Sequence, residues 1–468
     1  MNAADGGTRR GGGAIAAAWV VMLVCVVVMM LLQRVGDPEP SMAIDAGPTM
    51  DQTFSGRLIV GINQLGEQAG VDVEQTTRSM LEEFEASAFS PGAHLRVVIL
   101  EAELDGPEPA RERLAAVLAA MDAAEGETDI GDMVQTSWRD AQTLHAIYEA
   151  AVLGEPTMDL TDEDRAMLLA GQGWFGRLAL SHDPATREAS PSFRESVLGE
   201  ATRTVLAAVG VLVGLVVAVL VGLGLLILAV VLWADGRLRM RYRPVRGPTG
   251  PFLEAAALFL LLMLVLSVGL GLGEAMIGVP MSPLLYVLVP LAMFWPLVRG
   301  VSWRRWCNGM GWQQGAGVWR EVGSGLVGYV AGLPIIALGL AMTVLLSGWL
   351  AEDADHPVAE ELFTGGTMEL VLVLLLAVVW APVVEEAIFR GAFYHHMRRR
   401  WNAVVSGLVV GVIFAAIHPQ GIAGIPVLTA VAVVLSMIRE WRGSLIGPIA
   451  AHAVHNFGAT MILLLVMR

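Results

Sequence analysis

Long apolar runs without a charged residue are the feature that most constrains this chain of 468 residues. Residues 205–233 contain no acidic, basic or histidine side chain, and about 20 such residues span a bilayer as a helix. Inside a membrane, backbone N–H and C=O groups must be paired within the element, which favours helices. The mean hydropathy is +0.61 and 16% of residues are charged, against roughly a quarter in soluble proteins. The chain is therefore predicted to be an all-α polytopic membrane protein.

The number and direction of the spans follow from the same runs. About nine transmembrane helices are expected, at residues 14–32, 205–233, 252–272, 283–298, 323–350, 368–384, 402–418, 424–438 and 445–466. Basic residues favour the cytoplasmic side, and arginines cluster at residues 237–246, 299–320 and 398–400 and at Arg439 and Arg442. Acidic segments at residues 35–200 and 352–361 alternate with them. This pattern predicts a multi-pass protein with a cytoplasmic N-terminus. The expected location is the bacterial inner (plasma) membrane.

Residues 35–200 are predicted to form an inserted, extracytoplasmic soluble domain. The segment holds 31 acidic and 10 basic residues and so carries −21, which leaves +6 on the remainder of the chain. An acidic soluble part beside a membrane part argues against nucleic acid as a partner. The chain would then comprise an N-terminal signal anchor, this domain, preceding transmembrane helices and a C-terminal core, at residues 1–34, 35–200, 201–350 and 351–468. A cleaved signal peptide is the alternative for the first segment, but the apolar run is long for one.

Local patterns within this domain favour an α or α+β fold. Residues 58–62 and 95–102 are possible strands, whereas apolar spacing predicts helices at 111–124, 137–153 and 162–180. Thr161, with Asp164 three residues later, resembles a helix N-cap. The glycine and aromatic residues at 171–177 indicate a packing turn. No catalytic motif is found in this part of the sequence.

Polar side chains that could carry chemistry lie in three blocks within C-terminal apolar runs: residues 385–390, 414–418 and 452–456. Ionisable residues at membrane depth are costly and usually functional. Measured from the predicted cytoplasmic surface at ~1.5 Å per residue, Glu385 lies roughly 20 Å deep and His418 about 25 Å deep. His452 and Asn456 lie about 13 to 20 Å deep on the same basis. The three blocks are therefore expected to meet.

Spacing within the blocks distinguishes side chains that are expected to pair with each other from side chains that stay available for catalysis. Glu386 and Arg390 are four residues apart in the favourable order for an ion pair, whereas Glu385 lies about 100° round the helix and stays available. Phe414 is expected to pack and shape the pocket. His455 is interpreted as a buried histidine whose hydrogen bonds are satisfied within the protein. His395 and His396 are interpreted as interfacial residues, because they precede a run of arginines.

These motifs resemble those of the CAAX-protease and bacteriocin-processing family, also called Abi, of intramembrane glutamic endopeptidases. The family's EExxxR, FxxxH and HxxxN patterns correspond in order to residues 385–390, 414–418 and 452–456. The resemblance implies that Glu385 and His418 activate a water molecule and that His452 and Asn456 stabilise the oxyanion. It also implies a membrane-embedded or membrane-associated peptide or protein as substrate, and no cofactor.

Two alternatives use the same residues. Glu385, His418 and His452 could form a two-histidine, one-carboxylate zinc site in a membrane metalloprotease. The fold could also serve without catalysis as a membrane immunity or scaffold protein. Cysteine and aspartyl mechanisms fit poorly, because Cys25 and Cys307 are remote in sequence from the blocks and the last hundred residues contain no Asp.

Overall fold

The structure is a computed structural model that describes residues 5–35, 47–124, 132–155, 160–279, 281–313, 315–350 and 366–467. Within those ranges the chain is helical and contains no strand. The helices are α1 Asp5–Val35, α2 Met50–Ala69, α3 Glu74–Ala86, α4 Pro91–Leu104, α5 Pro107–Ala124, α6 Asp132–Leu153, α7 Asp162–Leu180, α8 Pro184–Ala189, α9 Phe193–Ala234, α10 Gly250–Ile277, α11 Leu285–Val298, α12 Trp303–Met310, α13 Val318–Leu350, α14 Thr367–Met397, α15 Ala403–Ala416, α16 Ile425–Arg442 and α17 Ile446–Met467.

The chain divides into two compact units. The first comprises Met1–Asp37 and Gly214–Met461, and the second comprises Pro38–Val213 and Ile462–Arg468. Each has its own apolar core. All three polar blocks, at residues 385–390, 414–418 and 452–456, lie in the first unit.

Helices replace both strands expected in the second unit. Residues 58–62 lie in α2 and residues 95–102 lie in α4, so the strand prediction is wrong. Residues 97–100 are apolar and buried at every position, and a short continuous apolar run does not distinguish a buried strand from a buried helix. The helices expected at 111–124, 137–153 and 162–180 are confirmed as parts of α5, α6 and α7.

Two local predictions in α7 can be compared with its structure. Thr161 caps the helix, since its hydroxyl accepts from the Asp164 N–H at 3.2 Å and the Asp164 carboxylate accepts from the Thr161 N–H at 3.2 Å. The glycine and aromatic segment, expected to be a packing turn, forms a kink inside the helix. Gly173 adopts φ +53°, a left-handed conformation that glycine tolerates. Trp174 and Phe175 beside it are buried in the core of the second unit.

Among the residues that the structure describes, six helices are long and apolar enough to cross a membrane: Gly12–Gln33, Phe193–Ala234, Gly250–Ile277, Val318–Leu350, Thr367–Met397 and Ile446–Val466. The expected spans at 283–298 and 402–418 correspond to shorter apolar helices, α11 and α15. The span at 424–438 corresponds to α16, whose 18 residues end in the charged turn that contains Arg439 and Arg442. A polytopic membrane protein is thus supported, but the count of nine is not confirmed. The acidic segment 352–361 lies outside the described residues.

Two arginines that were used to orient the chain are buried rather than exposed in a loop. Arg442 binds both carboxylate oxygens of Glu321 at 2.8 Å. Arg439 is fully buried and donates to backbone carbonyls, including that of Met310 at 3.3 Å. Their charges are therefore used for helix packing, and the exposed arginines at 237–246 and 399–400 are the better markers of a membrane face.

The N-terminal helix is part of the core of the first unit. Met22 and Cys25 of α1 are buried in the same cluster as Phe389 and Phe393 of α14. At the end of α1, the Gln33 side chain donates to the backbone carbonyl of His418 at 3.1 Å. A segment interpreted as an anchor thus also contacts the chain next to a candidate catalytic histidine.

Candidate active site

The helix that carries the glutamates is irregular on both sides of them. In α14, residues Ala381–Glu386 are α-helical and are flanked by π-helical turns at Leu376–Trp380 and Ala387–Phe393. Pro382 lacks the N–H that would otherwise donate to residue 378, which weakens the α-helical ladder at the first of these turns. Such π-turns are rare and occur frequently at functional sites. The sequence pattern did not show this local widening of the helix.

Glu386 and Arg390 form the ion pair that their spacing predicted. The Arg390 Nη1 to Glu386 Oε1 distance is 2.8 Å, and both side chains are fully buried. Arg390 also donates to the Ala432 carbonyl at 3.2 Å and lies over the Phe414 ring at 4.8 Å. The pair therefore connects α14 to α15 and α16.

His452 lies between the two glutamates. Its Nδ1 is 2.9 Å from Glu386 Oε1, and its Nε2 is 3.9 Å from Glu385 Oε2. The interpretation of Glu386 as a partner of Arg390 alone was therefore incomplete. Glu386 holds the His452 ring in place, and this contact joins residues 66 positions apart.

His418 faces Glu385 from the end of α15. The helix ends at Ala416, two residues earlier than predicted, because Pro419 disfavours helical geometry at the preceding residue. His418 Nδ1 lies 2.6 Å from the Phe414 carbonyl oxygen, and its Nε2 lies 4.0 Å from Glu385 Oε2. A carbonyl only accepts, so Nδ1 carries a proton, and in the neutral ring Nε2 presents a lone pair towards Glu385.

Phe414 packs between the other groups of the site. Its ring centroid lies 4.3 Å from that of His418 and 5.1 Å from that of Phe389. Its own side chain is buried. The ring therefore packs against other residues of the site, and its role in shaping a pocket stays a prediction.

The Glu385 carboxylate is placed to hold a small polar molecule. Its Oε2 is buried and has no hydrogen-bond partner in the described part of the chain, although the side chain as a whole is 20% exposed. The Nε2 atoms of His418 and His452 lie 4.0 and 3.9 Å from this oxygen. Those distances exceed a direct hydrogen bond, but they allow one water molecule to lie about 2.8 Å from the oxygen and from a ring nitrogen.

Asn456 also contacts α14, but at the Ala377 carbonyl and not at the glutamates. Its side-chain amide donates to the Ala377 carbonyl at 2.7 Å, within the first π-turn of α14. No hydrogen bond to either glutamate is recorded for it among the described residues. One amide proton is used in this contact, so the second is available to an incoming group.

The other histidines have structural partners. Tyr329 and His455 are 3.0 Å apart, from the hydroxyl to Nδ1, which confirms the interpretation of His455 as a satisfied side chain. His395 and His396 are 1% exposed and lie within hydrogen-bond distance of Tyr242 and Thr249. The expectation that these two lie at the interface is wrong, because the chain around residues 242–252 covers them.

Sequence reasoning missed the contacts made by Gln33 and by the Ala377 carbonyl. Gln33 is a single polar residue at the end of an apolar run, which is also how an ordinary interfacial residue looks. A backbone carbonyl has no sequence signal at all. Among the residues that the structure describes, no group of three or more His, Cys, Asp or Glu side chains has the arrangement of a metal site.

Comparison with known proteins agrees with the motif assignment. Residues 367–458 match the family model described as type II CAAX prenyl endopeptidase Rce1-like, which covers 92 of the 468 residues. No curated protein and no solved structure matched the chain. The segment that contains all three motifs is therefore similar to the Rce1-like family of CAAX prenyl endopeptidases, which confirms the resemblance derived from the sequence.

Proposed function

We propose that this protein is an intramembrane endopeptidase that hydrolyses a peptide bond of a membrane-associated peptide or protein with a water molecule activated by Glu385 and His418. The observation that carries the proposal is the position of Glu385 Oε2, buried and without a partner among the described residues, about 4 Å from two imidazole nitrogens. The match of residues 367–458 to CAAX prenyl endopeptidases supports the reaction class. Prenylated proteins are one substrate class that this similarity suggests.

The protonation pattern supports water activation. The lone pair of His418 Nε2 and the Glu385 carboxylate both accept, so a water molecule between them can donate one O–H to each. Its oxygen then has lone pairs free for attack on a carbonyl carbon. As the O–C bond forms, the carbonyl π-electrons move to its oxygen and Glu385 takes the proton from the water. When the tetrahedral intermediate collapses, the C–N bond breaks and Glu385 returns this proton to the leaving amine.

His452 and Asn456 are proposed to stabilise the oxyanion. The Nδ1–H of His452 already donates to Glu386 at 2.9 Å, so donation to an oxyanion through Nε2 requires the doubly protonated ring. The positive charges of Arg390 and of this protonated His452 would then balance the negative charges of the two glutamates. Asn456 can supply its second amide proton. Preorganised donors of this kind contribute several kcal/mol in a site that excludes water.

The test compares Glu385→Gln with the matched control Glu369→Gln, an exposed glutamate in the first turn of the same helix. Peptides released from membranes that contain each variant are quantified by mass spectrometry. Loss of the general base is expected to lower the yield of specific products by roughly 10²- to 10⁴-fold, and Glu369→Gln should match the wild type. Unchanged products in Glu385→Gln would refute the glutamate mechanism.

The same assay separates the alternatives. Activity that survives extensive chelation supports the proposal, whereas activity that is lost with a chelator and restored by zinc supports a metalloprotease. A scaffold protein would yield no product that differs between wild type and Glu385→Gln. The protein is further proposed to lie in the bacterial plasma membrane with residues 35–200 outside the cytoplasm.

A further inference from the structure

A cavity in the first unit is separate from the glutamate site. Its volume is about 450 Å³ and its wall is almost entirely apolar. Three helix faces form it, each with helical spacing: Leu226, Ala229 and Trp233 on α9; Gly328, Ala331 and Ile335 on α13; Val434, Ile438 and Trp441 on α16. None of the residues assigned to catalysis lines this cavity.

Close helix contact and small side chains explain why the space is open. At Gly222 the backbones of α9 and α13 approach so closely that a Cβ would overlap the carbonyl oxygen of Val330. Beyond that contact, towards the end of α9, Gly328 lets α13 pack directly against Ile438 of α16, and the small side chain of Ala331 leaves space on the side of α9. The result is an apolar space between α16 and two helices, α9 and α13, that are candidate membrane spans.

One end of the cavity adjoins a basic surface. Leu238 and Met240 line it, and the neighbouring Arg237, Arg239 and Arg241 are exposed. From the other side, Ala403 and Val404 line the cavity directly after the exposed arginines at 399 and 400. Trp233 and Trp441 lie in the same wall, as aromatic residues do at a membrane–water interface.

The lining also contains a carboxylate whose charge is already balanced. Glu440 is bonded to the Arg398 guanidinium, and the Tyr394 hydroxyl donates to it at 2.9 Å. Exposed arginines therefore dominate the charge at this end. Apolar walls with a basic rim at the interface fit a molecule with an acyl chain and a negative headgroup.

We propose that this cavity binds one acyl chain of an anionic phospholipid, with the headgroup held by the arginines at 237–241 and 399–400. The site is separate from the candidate catalytic groups, because none of them lines the cavity. Bound lipid would fill the space between α9, α13 and α16 and so connect the helices that precede the Rce1-like segment to that segment.

The experiment measures phospholipid retention by native mass spectrometry of the purified full chain. The protein is incubated in detergent with dioleoylphosphatidylglycerol or dioleoylphosphatidylcholine. Wild type is expected to retain one phosphatidylglycerol per chain in preference to phosphatidylcholine. Ala331→Trp fills the cavity from α13 and should lower the apparent affinity at least tenfold, whereas Ala341→Trp, at an exposed position on the same helix, should not.

A second set of variants tests the headgroup contact. The double variant Arg239→Gln, Arg241→Gln should lower phosphatidylglycerol binding by roughly thirtyfold, since each arginine near an anionic lipid contributes about fivefold and the two factors multiply. Phosphatidylcholine binding should be unchanged. The control is the double variant Arg304→Gln, Arg320→Gln, which replaces two exposed arginines that lie elsewhere in the sequence.

Two results would overturn the proposal. Equal retention of phosphatidylglycerol by wild type and Ala331→Trp would show that the lipid does not occupy the cavity, and equal affinity of wild type for both lipids would remove the role of the arginines. Ala229→Phe fills the same space from α9 and replaces Ala331→Trp if that variant fails to fold.

Discussion

The contribution of the buried ion pair can be measured by replacing Arg390 with methionine. Arg390 and Glu386 are both fully buried, and Arg390→Met leaves the Glu386 carboxylate without its guanidinium. Removing one partner of a buried pair costs about 3–5 kcal/mol. Methionine occupies much of the same space, so the cavity contribution is small. The Ala432 carbonyl still accepts from the Ser436 hydroxyl at 2.8 Å, so no unpaired acceptor adds to the loss.

A double variant separates charge from packing. Glu386→Gln with Arg390→Met removes both charges and keeps an oxygen that can accept from His452 Nδ1. Because replacing both members of a buried pair is often nearly neutral, the double variant should recover at least about 2 kcal/mol of the loss. A surface pair is the control: Arg78 and Glu74 have side chains that are 54% and 70% exposed, and Arg78→Met should leave the Tm close to that of wild type.

The assay is thermal unfolding of the purified protein in detergent micelles. At about 2–4 °C per kcal/mol, Arg390→Met should lower Tm by roughly 6–20 °C. Two results would contradict this expectation: the same Tm for Arg390→Met and Arg78→Met, or a double variant that is no more stable than Arg390→Met. A stable but inactive Arg390→Met protein would instead assign the arginine a direct role in the reaction.

Two further predictions concern the second unit and the membrane orientation. Burial raises the pKa of Glu103, but hydrogen bonds and charges from His182 and Arg194 outweigh it and hold the pKa below the usual 4.5. The ionised carboxylate therefore stabilises the fold above that value, and the contribution is lost as the pH falls through the folded-state pKa. Circular dichroism should show a larger loss of Tm between about pH 7 and about pH 3 in wild type than in Glu103→Gln, and equal losses would contradict this. For the orientation, single cysteines at the exposed positions 83 and 239, in a Cys25→Ala, Cys307→Ala background, should react with an impermeant maleimide from opposite sides of the membrane. Labelling of both from one side would mean that α9 does not cross.

Interactions within one element were predictable from the sequence because helix geometry fixes them. The pairing of Glu386 with Arg390 and the cap formed by Thr161 and Asp164 both depend on residues three or four positions apart, which a helix brings together whatever surrounds it. The three polar blocks were identifiable for a similar reason, since charged groups in apolar runs need partners at membrane depth.

Contacts between elements were decided only by the tertiary structure. The His452 ring is held by Glu386 across 66 residues, and the His418 carbonyl is held by Gln33 across 385. No periodic pattern in the local sequence specifies which residues so far apart in the chain come into contact. The second π-helical turn, at Ala387–Phe393, contains no proline and also depends on how α14 packs.

The sequence by itself determined that the apolar runs are helices, since an unpaired backbone is too costly in a bilayer. It did not determine which face of each helix is covered. Only 6% of the most apolar window of α9 is buried within the protein, whereas Phe389 and Phe393 of α14 are enclosed. Lipid tails are as apolar as leucine side chains, so hydropathy is the same for a face that meets lipid and a face that meets protein, and only the packing of the helices decides between them.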